Sequence, residues 1–172
     1  MLLRALRSFA LITTISLSSA GAGPAWAEEE EAAALAAALK DTQFSLQDGL
    51  KISEREGQPI SAAFELDDGK LQVSIYTIKG EDFAEVVADP KTGAIVKSEK
   101  ITDNDDLNDA AEQKAAMAKA TVSLLAAADA AVKDNAGSRV VGIFPELKDG
   151  HAVAEVTLLQ GTTPKRVTEK LD

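Results

Sequence analysis

The chain has 172 residues, no cysteine, one histidine and a formal net charge of −10. That balance excludes a basic nucleic-acid-binding surface and disfavours attachment to anionic lipid. It also excludes disulfides, so packing must hold the fold, and few aromatic residues leave the core aliphatic.

Residues 1–27 read as a secretory signal peptide. Arg4 and Arg7 give a basic start, an apolar stretch follows, and Ala25-Trp26-Ala27 forms an A-x-A cleavage site ahead of Glu28–Glu31. The apolar stretch is shorter than the roughly 20 residues a membrane span needs. With no cysteine to carry a lipid, the mature chain is expected to be exported, periplasmic and not membrane-anchored. Loss of Arg4 and Arg7 takes the net charge from −10 to −12. Such a surface favours a cationic partner.

Residues 28–40 are rich in helix formers, with acids at the start where the helix dipole favours them. Leu46, Gly49, Leu50 and Ser53 recur at helical spacing, and Gly57 and Pro59 stop that helix. Ile60–Leu66 and Leu71–Ile78 read as strands around a DG turn. In the second, Leu71, Val73 and Ile75 alternate with Gln72, Ser74 and Tyr76. Phe83–Ala88 and Ala94–Lys97 complete four strands. The stretch 102–136 then predicts one long alanine-rich helix capped by Thr102 or Asn104. Strands at 140–144, 152–159 and 165–169 follow.

The two halves run in the same order. Ser45 corresponds to Ser123, Asp68-Gly69 to Asp149-Gly150, and Gly80 to Gly161. Ile60 is matched with Val140, and Phe64 with Phe144. The expected organisation is a signal peptide (1–27), a first repeat with its N-terminal helix (28–101) and a second repeat (102–172). The expected fold is α+β, with two tandem repeats, each a helix packed on a small antiparallel sheet.

The segment Asp89-Pro90-Lys91-Thr92-Gly93 lies between two apolar runs. Pro90 sets φ, Asp89 can accept a bond from the backbone beyond it, and Gly93 can take a positive φ. Asp89, Pro90, Thr92 and Gly93 are therefore assigned to a structural hairpin turn.

Ser45-Leu46, Gly57-Gln58-Pro59-Ile60, Gly69, Val73-Ser74-Ile75 and the D-x-x-T-G segment, in that order, resemble a PepSY domain over residues 43–98. Residues 121–171 are similar as far as Val167. Glu169-Lys170-Leu171-Asp172 then stands where D-x-x-T-G would, so the second repeat is truncated against the family pattern. The resemblance implies an exported unit that binds or restrains peptidases, with no catalytic residues and no cofactor.

Other constellations are weak. His151 has no second histidine or cysteine to share a metal. An EF-hand loop started at Asp103 would put Leu107 at position 5, Asn108 at the glycine and Lys114 at the glutamate. A helix start with a solvated linker explains the run better. Glu54 and Glu56 carry no neighbouring signal for acid–base work. Tyr76 and Ile78 lie opposite Leu71, Val73 and Ile75, so they are either a partner-binding face or the contact between repeats. The expected function is an exported, non-catalytic binding protein that restrains a periplasmic peptidase through its sheet surface. Its partner is an exported protein or peptide, and no cofactor is expected. The alternative is a small-ligand or cation-binding module using the acidic surface.

Overall fold

The computed structural model describes residues 25–172, with side chains from Glu30 onward. Residues 1–24 of the predicted signal peptide lie outside the described residues. In chain order the elements are α1 (Ala25–Leu39), α2 (Leu46–Ser53), β1 (Gln58–Asp67), β2 (Lys70–Lys79), β3 (Asp82–Asp89) and β4 (Ala94–Lys100). Then come α3 (Asn104–Met117), α4 (Leu124–Asp134), β5 (Arg139–Lys148), β6 (His151–Gln160) and β7 (Thr163–Lys170).

Local chemistry explains the boundaries. Ser45 and Asp48 close a capping box on α2: the Asp48 N–H donates to Ser45 Oγ, and the Ser45 N–H donates to Asp48 Oδ2. Ser123 caps α4 by accepting from the Ala126 N–H at 3.1 Å. The β1–β2 and β5–β6 hairpins turn through Asp68-Gly69 and Asp149-Gly150, all four at positive φ. Primed two-residue turns need that backbone, and Asp-Gly supplies it at low steric cost.

The predicted pair of small sheets is not what forms. One antiparallel sheet of seven strands runs β4-β3-β2-β1-β5-β6-β7. The strands that would be free edges of two separate units, β1 and β5, pair with each other through Ala62↔Ile143 and Ala63↔Gly142. Each edge satisfies the other's unpaired backbone groups, so the halves merge.

Two further expectations are corrected. The single long helix over 102–136 divides into α3 and α4, because the Thr121 and Val122 N–H groups turn away to donate to the Leu171 carbonyl. Asp103, rather than Thr102 or Asn104, caps α3. The matching of Phe64 with Phe144 is also off by one. The bulge residues Ile60 and Val141 and the turn residues Asp68 and Asp149 share one offset, under which Phe64 corresponds to Pro145 and Ala63 to Phe144. A shift of one residue exchanges sheet faces. Phe64 accordingly lies in the main core, and Phe144 packs on the opposite side.

The main core sits on the face covered by α1, α2 and α4. Leu35, Leu46, Leu50, Phe64, Val73, Ile75, Val156 and Leu158 are buried there. The other face holds a small cluster of Ile60, Tyr76, Ile101 and Ala110, roofed by α3. That helix packs against β1, β5 and β6.

The segment from Asp89 to Gly93 forms a closed turn. The Gly93 N–H donates to the Asp89 carbonyl at 2.8 Å, and the Lys91 N–H to Asp89 Oδ1 at 2.7 Å. The Ala94 N–H reaches Thr92 Oγ1, while the Pro90 carbonyl accepts from Thr42. Gly93 has φ +68°, and a Cβ added there would stand 3.4 Å from Phe44 Cε2. Gly93→Val is expected to destabilise the fold by about 1–3 kcal/mol, because a β-branched residue is strained at that φ. A lowered denaturant midpoint at unchanged slope is the expected result.

Candidate functional site

The structure places Tyr76 under α3, with only 2% of its surface exposed. Ile78 is half-buried in the same cluster, beside Phe83. The face expected to be open for a partner is therefore covered. The covering helix comes from the acidic run after Asp103, whose Asp106, Ala110, Gln113 and Met117 recur at helical spacing on one side. Strand β2 is also internal, between β1 and β3, so it offers no edge for an added strand.

The edges are β4 and β7. In β4 the register shifts opposite Val87 and Ala88, and Val96 stands out at that bulge. Strand β7 carries Pro164, Lys165 and Arg166. Bulges, proline and charge all discourage strand addition.

His151 is exposed, and its Nδ1 lies 2.9 Å from Asp172 Oδ2. The same oxygen accepts from the Ala152 N–H, and Asp172 is held below the ordinary aspartate range, first by His151. The pair secures the end of the chain to β6. Among the described residues, no group of three or more acidic or histidine side chains is placed to hold a metal ion.

Beneath α3 lies a cluster of polar groups that alternation alone would assign to a wet sheet face. Cross-strand register puts Ser61 beside Tyr76, Tyr76 beside Glu85, and Glu65 beside Gln72. Ser74 Oγ donates to Glu85 Oε1 at 2.6 Å. The Tyr76 hydroxyl bonds Asp106 of α3, and burial followed by the Asp106 charge raises its pKa, so it remains a donor. Among the described residues, three buried oxygens have no partner: Ser61 Oγ, Glu65 Oε2 and Gln113 Oε1. Such atoms lose hydration without replacement.

Glu65 is 8% exposed. Burial pushes its carboxyl up to about 8, helped by Glu85, Asp67 and Asp106 and opposed by a hydrogen bond from Gln72. No cation is among the groups that shift it.

A separate cleft opens where four segments meet. Leu50 and Glu54 come from the end of α2, Pro59 from β1 and Met117 from α3; Val122 and Leu124 close it at the start of α4. Its volume is about 220 Å³. That is below the usual range for a small-molecule site and suits a single side chain. The lining is mainly apolar, Glu54 is its one charged member, and Val122 is 37% exposed. Its wall is fixed by the hydrogen bonds from Thr121 and Val122 to Leu171. No sequence motif marked this cleft, since its residues come from segments far apart in the chain.

The Glu65 carboxyl makes stability depend on pH. Its folded value, about 8, lies above the reference 4.5, so the native state holds the proton longer than the unfolded chain. The stabilising contribution is complete below about pH 4.5 and declines as pH rises to about 8, by about 1.4 kcal/mol per pH unit for one proton. Denaturant titrations from pH 5 to 8 should show Glu65→Gln with a shallower decline than the natural protein. Equal slopes would contradict the protonated, buried carboxyl.

No family model matches the chain, and no curated protein matches it. Among solved structures, a candidate lipoprotein of Clostridium difficile 630 is similar at 16% identity, covering 77% of this chain and 90% of that one. The TM-score is 0.42, a likeness too loose to carry function across. Among the described residues, no helix is long and apolar enough to cross a membrane.

Proposed function

We propose that this chain is an exported, non-catalytic binding protein that seats a basic side chain of an exported protein or peptide in the cleft between α2, α3 and α4. The observation that supports it is the composition of the cleft: an apolar lining, one carboxylate from Glu54, and an exposed Val122. A lysine or arginine side chain matches that surface, with its aliphatic stem on the apolar lining and its charge toward Glu54. The net charge of −10 favours approach of the same partner over longer range.

Compartment and partner class rest on sequence. The signal-peptide pattern supports export to a periplasm, and the PepSY resemblance of the two halves supports a peptidase as the partner. Restraint would work by occlusion, with the bound surface keeping substrate away. The cleft replaces Tyr76 and Ile78 as the point of attachment, because α3 covers those residues. No specific observation favours the small-ligand or cation-binding alternative.

Titration with short capped peptides tests the reading. Lysine- or arginine-containing peptides should shift the amide resonances of Leu50, Glu54, Val122 and Leu124, and the affinity should fall as salt is added. Glu54→Lys should weaken binding at least tenfold while leaving the denaturant midpoint unchanged. Equal binding of acidic and basic peptides would refute the assignment.

A further inference from the structure

Helix α3 is held differently from the other helices. Its buried residues are Ala110, Gln113 and Ala116, so the apolar seal is thin and one of its three members is polar. Leu107 and Met117 are only partly buried at its margin. On the exposed side, Lys114 pairs with Glu81 at 3.2 Å and lies over the Phe83 ring. By contrast, the segment is fixed firmly at both ends. Ile101 is buried and donates its N–H to the Phe83 carbonyl; Thr121 and Val122 donate to the Leu171 carbonyl. Residues 102–120 therefore form a bounded segment over the sheet, held between these anchors by the Asp106 bond to Tyr76, the Lys119 bond to the Gly150 carbonyl, and the contacts of Met117 and Ala120 with the main core.

What lies beneath favours detachment once Glu65 loses its proton. From β1, Glu65 is joined by Asp67; from β2, by the uncharged Gln72 and Tyr76; from β3, by Glu85; and from α3, by Asp106. On the same face β5 presents Gly142 and Phe144, which carry no charge, and Glu146; β6 presents Glu155, which pairs with Arg166 of β7 at 3.8 Å. The charged groups that raise the Glu65 pKa, Glu85, Asp67 and Asp106, are all acidic. Detachment of α3 would hydrate Ser61, Glu65 and Gln113, whose buried oxygens have no partner in the closed arrangement.

We propose that α3 is a proton-dependent lid: it stays closed over β1, β5 and β6 while Glu65 is protonated and detaches when Glu65 ionises, and its movement reshapes the neighbouring cleft. The second half rests on the proposed binding function. The link is Met117 and Ala120, which belong to the lid segment and also line the cleft. Partner binding is then tighter at acidic pH, where the cleft wall is in place.

Amide hydrogen exchange on the full chain tests the lid, read as protection factors at pH 5.5 and 7.5 with and without low denaturant. The opening constant of α3 should rise about tenfold per pH unit, or about a hundredfold across that interval. Its denaturant dependence should be weaker than that of the β5 and β6 amides, as for a local opening. Glu65→Gln should remove the pH dependence. Glu85→Gln, which leaves Glu65 in place, should make the rise level off at a lower pH. Exchange of α3 at the same protection and denaturant dependence as β5 and β6, or an opening constant independent of pH, would overturn the lid. A capped lysine peptide tests the coupling: binding should be weaker at pH 7.5 than at 5.5, and equal at both in Glu65→Gln. Equal binding by the natural protein while α3 opens would overturn the coupling alone. A pH-dependent α3 with no peptide binding at either pH would refute the cleft reading and leave the lid standing.

Discussion

The pairing of β1 with β5 governs the rest of the molecule. It is short, through Ala62↔Ile143 and Ala63↔Gly142, and three of those four residues are small. The room at the seam is limited: a Cβ on Gly142 would meet Phe144 Cε2 at 3.1 Å. Because the paired strands follow α2 and α4 in the chain, the seam brings those helices side by side on one face, where they pack together over the strands. It leaves only β4 and β7 as edges, and both carry features that resist further pairing. The cleft between α2 and α4 follows from the same juxtaposition.

The two faces then carry different roles. The face under α1, α2 and α4 contains a continuous apolar core, and its strongly hydrophobic burial supplies most of the driving force for folding. The opposite face is covered by one helix that buries two alanines and Gln113, and three buried oxygens there lack a partner among the described residues: Gln113 Oε1 on the helix, and Ser61 Oγ and Glu65 Oε2 beneath it. A fold that can rely on one face for stability can tolerate a weak cover on the other. This division makes a local rearrangement of α3 compatible with an intact sheet.

Local chemistry was legible in the sequence because it depends on neighbours in the chain. The Asp-Gly turns and the strand alternation of Leu71, Val73 and Ile75 needed no tertiary information. The seam was not legible, because alanine and glycine at 62, 63 and 142 give no signal for pairing across some eighty residues of chain. The alternation that placed Tyr76 and Ile78 opposite Leu71, Val73 and Ile75 was correct about faces but silent on what covers them. Amphipathicity could not supply the answer, since α3 shows the sheet alanines and a glutamine rather than a leucine stripe. The alanine-rich stretch also concealed the division between α3 and α4, which depends on an acceptor at Leu171, nearly fifty residues away.

Arg139 shows why the halves act as one body rather than as linked repeats. It belongs to β5, yet its guanidinium donates to the carbonyls of Leu39 and Thr42, at 3.2 and 3.3 Å, and to that of Phe44. It also stacks over the Phe64 ring of β1, with 5.0 Å to the centroid. One side chain from the second half thus satisfies three backbone acceptors in the α1–α2 connection of the first. The planar fork of arginine suits such multiple acceptance, whereas lysine would offer a single charged point. Thr42 in turn bonds the Pro90 carbonyl in the β3–β4 turn, so the same connection is tied to both ends of the sheet's first half. Separating the repeats would expose the seam and deprive the Thr42 and Phe44 carbonyls of the Arg139 donor, while the Leu39 carbonyl would keep the Thr42 N–H, so the halves are tied by more than their strand pairing.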